Sequence, residues 1–289
     1  MEQSLITAIV LPLALAIIML GMGLTLTPDD FKRVVAVPRA MLLGLGNQLI
    51  LLPLIALAIA LTFPLRPELA VGLMLIALCP GGPTSNIISH LARADLALSV
   101  SLTAISSLVT VFTIPVVLNL ALYHFMGDTQ TIQLPVGQTI LQIFLVTVLP
   151  IGIGMGLRHR YPALTARAMG AVNATSLGFF VLILVLAILK ERAHIIPYFE
   201  ESGAAVILLN LAALALGFFS GSWFKLGFRQ KVAISIETGI QNGSLAIALA
   251  LSPLVLNQPA FAIPAVIYSL TMFISGAAVI WLARHNRAE

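Results

Sequence analysis

Nine apolar segments fill almost the whole chain, at roughly 4–25, 39–62, 69–92, 95–123, 136–157, 166–189, 203–224, 230–252 and 258–283. Each approaches or exceeds the roughly 20 residues an α-helix needs to cross the hydrocarbon of a bilayer. Lipid offers no partner to a backbone N–H or C=O, so segments like these must pair their own backbone, as helices do. Composition agrees. Of 289 residues 60% are hydrophobic and 9% charged, whereas a soluble domain carries about 25% charged residues. The expectation is an all-α polytopic membrane protein with nine transmembrane helices, a single unit over 1–289. The opening MEQSLITAIVLPLALAIIML lacks a basic n-region and a small-residue cleavage site, so it reads as the first span and not as a signal peptide.

The net charge of +4 comes from basic residues scattered between the apolar segments. They read as topology signals, not as a nucleic-acid surface. Across nine spans, Lys32, Arg33, Arg39, Arg93, Arg158, Arg160, Arg167, Lys225, Arg229, Lys231, Arg284 and Arg287 fall on one side. Arg66, Lys190 and Arg192 fall on the other. This 12-to-3 split uses all 15 basic residues and predicts the N-terminus outside and the C-terminus in the cytoplasm. A missed or extra helix would scramble the alternation. Ten of the eleven acidic residues lie in connectors or tails; the exception is Glu237, in the middle of segment eight. No Lys or Arg lies at the centre of any span to pair with it.

Two spans carry breaks. Segment three reads VGLMLIALCPGGPTSNIISHLA over 71–92, with Pro80, Gly81, Gly82 and Pro83 in a row. Proline removes a backbone donor and clashes with the preceding turn, and glycine lowers helix propensity. The helix should break between about 79 and 83, with Pro83 opening a new half-helix. Segment eight contains ETGIQNG and should break more gently, over 237–243. Unwound backbone at membrane depth persists only inside protein or beside a watery cavity. Two such breaks, one in each half of the chain, suggest a transporter with inverted repeats. In such a fold freed carbonyls hold a cation and half-helix N-termini face an anion. Segments one to four and six to nine would be the equivalent, oppositely oriented sets, with segment five unmatched. GMGL at 21–24 and 154–157 falls outside this register and reads as small-residue helix packing.

Glu237 is a functional candidate by default, with a protonated structural carboxyl as the plain alternative. Its neighbours Gln241 and Asn242, with the carbonyls of an unwound backbone, are hard oxygen donors that suit Na⁺ and not zinc. Gln48, beside Asn47, reads equally as a bond between helices or as a ligand of a nearby cation. Ser99 and Thr103 share one helix face and could present two hydroxyls to an ion held by Ser85 and Asn86. Serines in spans also commonly bond their own carbonyls. His90, His124, His159, His194 and His285 show no metal spacing. Cys79 is the one cysteine, so no intrachain disulfide can form. No nucleophile elbow, P-loop or Rossmann glycine pattern is present, and no Ser or Cys shares a depth with a His, which argues against an intramembrane enzyme. Mostly apolar spans argue against a passive channel.

The stretches CPGGPTSN, ARADLALSVSLTAISSLVTVFTIP and IETGIQNGSLAIALA resemble the bile acid:sodium symporter family. The likeness runs over nearly the whole chain and is strongest to bacterial members. It implies ten helices, or nine where the first is absent, arranged as a core (about 39–123 and 203–283) and a panel (about 4–25 and 136–189). The broken helices would cross at the core's centre with two Na⁺ behind the crossing. The first ion would take Ser85, Asn86, Ser99, Thr103 and Glu237. The second would take Gln48, Gln241, Glu237 and carbonyls near Thr238 and Ile240. Substrate would lie between core and panel, against Thr84, Asn242, Gly243 and Ser244. One departure is Pro83, where bacterial relatives often read CPGGTASN; it removes a hydroxyl and an N–H from a half-helix tip.

The expected function is sodium-coupled symport of a small organic anion, bile acid-like or pantoate-like, by alternating access in a bacterial inner membrane. Two Na⁺ would serve as coupling ions. Neither enzyme activity, nucleic acid nor an obligate protein partner is expected. The alternative is a proton-coupled organic anion transporter of the same fold, with Glu237 carrying the proton.

Overall fold

The structure, a computed structural model, describes residues 2–127 and 134–285; Arg287, counted above among the basic residues, lies outside them. The helices in chain order are α1 (Glu2–Gly23), α2 (Pro28–Ala36), α3 (Pro38–Thr62), α4 (Pro67–Leu78), α5 (Pro83–Leu91) and α6 (Leu96–Met126). There follow α7 (Val136–Arg160), α8 (Pro162–Lys190), α9 (Ile195–Trp223), α10 (Phe228–Gly239), α11 (Gly243–Leu251) and α12 (Pro259–His285), which opens with a 3-10 turn. Among the described residues no strand forms, only an isolated antiparallel bridge between Gly81 and Gln241. Among the described residues six helices, α3, α6, α7, α8, α9 and α12, are long and apolar enough to cross a membrane. The other three expected segments correspond to α1 and to the pairs α4/α5 and α10/α11.

Local chemistry explains the boundaries. Pro28, Pro38, Pro67, Pro83 and Pro162 each open a helix, where a missing N–H costs nothing and the fixed φ suits the first turn. The connector TPDDFKR is not a loop. It forms the start of α2, where Asp30 Oδ2 accepts from the backbone N–H and the hydroxyl of Thr27 at 2.7 and 2.8 Å. Asp29 and Asp30 also sit in the first turn, where the helix dipole favours them. RHRYPALTAR shrinks to a single hinge residue, Tyr161, between α7 and α8. α9 begins at Ile195, two turns earlier than expected.

The break in segment eight is narrower than its composition suggests. Helix α10 runs through Gly239, and only Ile240–Asn242 leave helical geometry. Glu237 and Thr238 therefore keep their helical backbone. Polar side chains do not unwind a helix when they find partners.

Two π-helical stretches, Asn47–Leu51 in α3 and Phe144–Val148 in α7, were not expected. Each lies just ahead of a proline, Pro53 and Pro150. A widened turn there relieves the clash between the proline ring and the carbonyl four residues earlier.

Small residues set the closest packing. α9 lies along α10, and a Cβ on Gly217 would fall 2.5 Å from Ser235 Cα. α1 meets α7 through Gly23 and Gly154, where a Cβ on Gly154 would fall 2.9 Å from the Gly23 carbonyl carbon. GMGL is thus a packing motif on both helices. Every residue of α4 from Leu69 and of α10 and α11 from Val232 is buried, so the interrupted helices form the centre of the molecule.

Candidate functional site

The two breaks meet. Asn242 N–H donates to the Pro80 carbonyl at 2.9 Å, next to the Gly81–Gln241 bridge. Each unwound strand thus pairs backbone with the other, which meets the demand that buried polar groups find partners. Pro83 is the first residue of α5, and no side chain caps that end. Asn242 caps α11: its Oδ1 accepts from Leu245 N–H at 3.1 Å and from Ser244 Oγ at 2.8 Å.

Glu237 points from α10 toward the other break. Its Oε2 accepts from Ser85 Oγ at 2.9 Å and Ser99 Oγ at 3.0 Å, and its Oε1 accepts from Thr103 Oγ1. Asn86 Oδ1 accepts from Ser99 at 3.1 Å and Thr103 at 3.4 Å. The first expected set, Ser85, Asn86, Ser99, Thr103 and Glu237, therefore forms one cluster, with none of its residues more than 8% exposed. Gly81 makes room for it, since a Cβ there would overlap the Glu237 carboxylate.

The cluster is rich in oxygen lone pairs and poor in protons. The Ser85, Ser99 and Thr103 hydroxyls face the carboxylate, Asn86 Oδ1 and the carbonyls of Gly82 and Ser99, more acceptors than three protons can serve. Among the described residues no Lys, Arg or His pairs with Glu237. Asn86 Nδ2 is buried without a partner. The oxygens of this set, though not the Asn86 amide N–H₂, suit a small hard cation.

The second expected set divides. Gln48, in the π-helical stretch of α3, donates from Nε2 to the Cys79 carbonyl at 2.7 Å and to Gln241 Oε1 at 2.8 Å. Gln241 Nε2 donates to Gln48 Oε1 at 3.2 Å and to the Thr238 carbonyl at 2.7 Å. Gln48, Gln241 and Thr238 thus share a network, with Ile240 in the adjoining unwound stretch. Among the described residues no hydrogen bond joins Glu237 to Gln48 or Gln241, because its oxygens turn to the hydroxyls.

Of the expected substrate contacts, only Thr84 is partly exposed; Asn242, Gly243 and Ser244 are buried. Asn242 Nδ2 faces α1, with Met19 Sδ at 3.9 Å as its partner. Gly243 packs on Ser269, and Ser244 serves the cap. Two residues passed over in the sequence also reach the crossing. Asn210 Nδ2 and Tyr268 Oη both donate to the Gly239 carbonyl, at 2.8 and 2.9 Å. Asn210 is a single polar group in an otherwise apolar stretch, whereas Tyr268 sits beside Ser269 and Thr271 and nothing in the sequence sets it apart from them.

A model of the sodium bile acid symporter family matches residues 12–197, well over half of the chain. The chain belongs to this family. As a member of a symporter family it is an integral membrane transporter and not an enzyme. The match takes in the first break and its hydroxyl helix. The relatives extend the likeness across the second break. "Uncharacterized sodium-dependent transporter YocS" of Bacillus subtilis is 34% identical over 279 residues, covering 95% of this chain and 84% of that protein. "Probable sodium/metabolite cotransporter BASS2, chloroplastic" of Oryza sativa is 30% identical, covering 93% and 63%. "Sodium/bile acid cotransporter 4" of Homo sapiens is 32% identical, covering 82% and 54%. The chain therefore spans less than two thirds of the rice and human proteins.

Proposed function

We propose that this protein is a sodium-coupled symporter of a small organic anion in a bacterial plasma membrane, working by alternating access. In this reading the chain crosses the membrane nine times, N-terminus outside and C-terminus in the cytoplasm. The core comprises about 39–123 and 203–283, and the panel about 4–25 and 136–189. One Na⁺ binds Ser85, Asn86, Ser99, Thr103 and Glu237. A second binds Gln48, Gln241, Glu237 and carbonyls at Thr238 and Ile240, once Glu237 shares an oxygen with it. The observation that carries the reading is the unpaired carboxylate amid more oxygen acceptors than hydroxyl protons, built across both breaks. Filling it with Na⁺ would tie the two half-helix pairs together.

The substrate, a bile acid-like or pantoate-like carboxylate, would sit on the panel side of the crossing near Thr84 and Asn242. α11 is wholly buried and packs on α1 and α8, both panel helices. The main partners of α5 are α6, α10 and α12, and its Ile87 is 52% exposed. That asymmetry favours access along α5, the side that the basic residues assign to the cytoplasm. A ligand shifts such an equilibrium only through its differential affinity for the two states, so Na⁺ must favour the anion-competent form. The membrane potential adds about 2.3 kcal/mol per charge per 100 mV.

Uptake of radiolabelled taurocholate and pantoate into proteoliposomes tests this. Uptake should need an inward Na⁺ gradient and should vanish in Glu237→Gln. Equal rates in Na⁺ and choline would refute sodium coupling, and pH-driven, Na⁺-independent uptake would give the site to a proton.

A further inference from the structure

Two side chains outside both proposed sodium sets converge on one backbone atom. Gly239 ends α10, and its carbonyl accepts from Asn210 Nδ2 and Tyr268 Oη. Asn210 comes from the middle of α9 and Tyr268 from α12, and both are 0% exposed. The last carbonyls of a helix have no intrahelical partner. A carbonyl has two lone pairs, so these two donors saturate it. The Gly239 carbonyl is thereby closed to an ion, and the peptide plane it shares with Ile240 is held from two sides.

The first break uses a related device. Gln48 Nε2 donates to the Cys79 carbonyl at 2.7 Å, and Cys79 stands where Gly239 stands relative to the Gly81–Gln241 bridge. Each break thus has an amide from a neighbouring long helix on its last carbonyl. The two amides differ in what else they do. Gln48 also exchanges bonds with Gln241. Asn210 Oδ1 is buried with no partner, so Asn210 acts through the Gly239 carbonyl. Tyr268 has no counterpart at the first break among the hydrogen bonds of the described residues.

We infer that Asn210 and Tyr268 are positioning residues for the second sodium site. By fixing the Gly239 carbonyl they set the direction of the carbonyls on either side, Thr238 and Ile240, which are the ones proposed to reach the ion. Neither residue touches the ion. The inference rests on the sodium reading above. Without these donors the end of α10 would sample other orientations, and apparent affinity would fall by the fraction of time spent in them.

Thermal unfolding of the purified protein in detergent tests this without any organic substrate. Melting is followed as NaCl replaces choline chloride at constant ionic strength, for the wild type, Tyr268→Phe and Asn210→Leu. Each variant should need roughly two- to ten-fold more Na⁺ for half of its stabilisation, the range of one net hydrogen bond. High Na⁺ should restore the full shift. Variants that melt lower in choline yet respond at the wild-type Na⁺ concentration would overturn the inference, because that is what loss of packing alone gives. Should Asn210→Leu fail to fold, Tyr268→Phe decides alone, since it removes a single oxygen. A wild type indifferent to Na⁺, and no different from Glu237→Gln, would overturn the sodium reading and this inference with it. A responsive wild type beside unmoved variants overturns the inference only.

Discussion

Gly81→Ala is the sharpest perturbation of the crossing. An added Cβ would stand 2.6 Å from Glu237 Cδ, where carbon atoms in contact rest at about 3.5–4.0 Å. One side must therefore give by roughly 1 Å. If the carboxylate retreats, its bonds from Ser85 and Ser99, now 2.9 and 3.0 Å, pass beyond hydrogen-bond range. If the backbone retreats, the Asn242 N–H to Pro80 bond is lost. Bonds to a charged group are worth about 1.5–3 kcal/mol each, and partial relaxation leaves an expected loss of about 2–4 kcal/mol. Gly82→Ala is the control, since its Cβ would meet Asn242 Cα at an ordinary 3.5 Å. Melting in detergent, with and without Na⁺, reads both variants. Gly81→Ala should melt well below Gly82→Ala and lose the Na⁺ response. Equal melting and equal Na⁺ response in the two would refute the geometry at its centre.

Gly217→Ala should destabilise by about 1–3 kcal/mol, because α9 and α10 touch backbone to backbone there. Gly178→Ala on α8, which meets open space, should be neutral or slightly stabilising by the same melting assay. On the surface, Lys32 holds the Asp29 carboxyl below its usual range through a hydrogen bond and its charge. Any stability from that depressed carboxyl is present above the unfolded value near 3.9 and is lost as pH falls through the folded one. The pair is fully exposed, so Asp29→Asn should leave the melting temperature unchanged in physiological salt, and a clear shift would contradict this.

The breaks and the carboxylate cluster were legible because membranes make polar residues conspicuous. Pro80, Gly81, Gly82 and Pro83 interrupt an apolar run, and Glu237 is the one acid in the middle of an apolar segment of the sequence, so each signal stood against a quiet background. The first set converged because Ser99 and Thr103 share a helix face that α4/α5 and α10 both approach. The rest needed three dimensions. Whether Glu237 turns to the hydroxyls or to Gln48 depends on the crossing angle of two breaks, which no spacing encodes. The π-helical stretch that carries Gln48 arises from Pro53, whose effect on backbone register is not visible as a motif. Helix α2 was hidden by its nine-residue length, Asn210 by its isolation, and Tyr268 by its place among other hydroxyls, Ser269 and Thr271.

Pro83 bears on how an anion could be held. As the first residue of α5 it offers no N–H, and Ser85 N–H is spent on the Gly82 carbonyl at 3.0 Å. At the other half-helix the Asn242 side chain takes Leu245 N–H for the cap. Thr84 and the Asn242 amide, whose present partner is only the Met19 sulfur, still offer donors to a carboxylate. Asn242→Ser separates the two jobs of that residue. Serine caps a helix about as well as asparagine, so folding and Na⁺-dependent melting should persist. The amide donor is gone, so uptake of whichever labelled anion the wild type carries should fall about ten-fold or more, the cost of one hydrogen bond to a charge. Wild-type uptake by Asn242→Ser would show that the anion is held elsewhere.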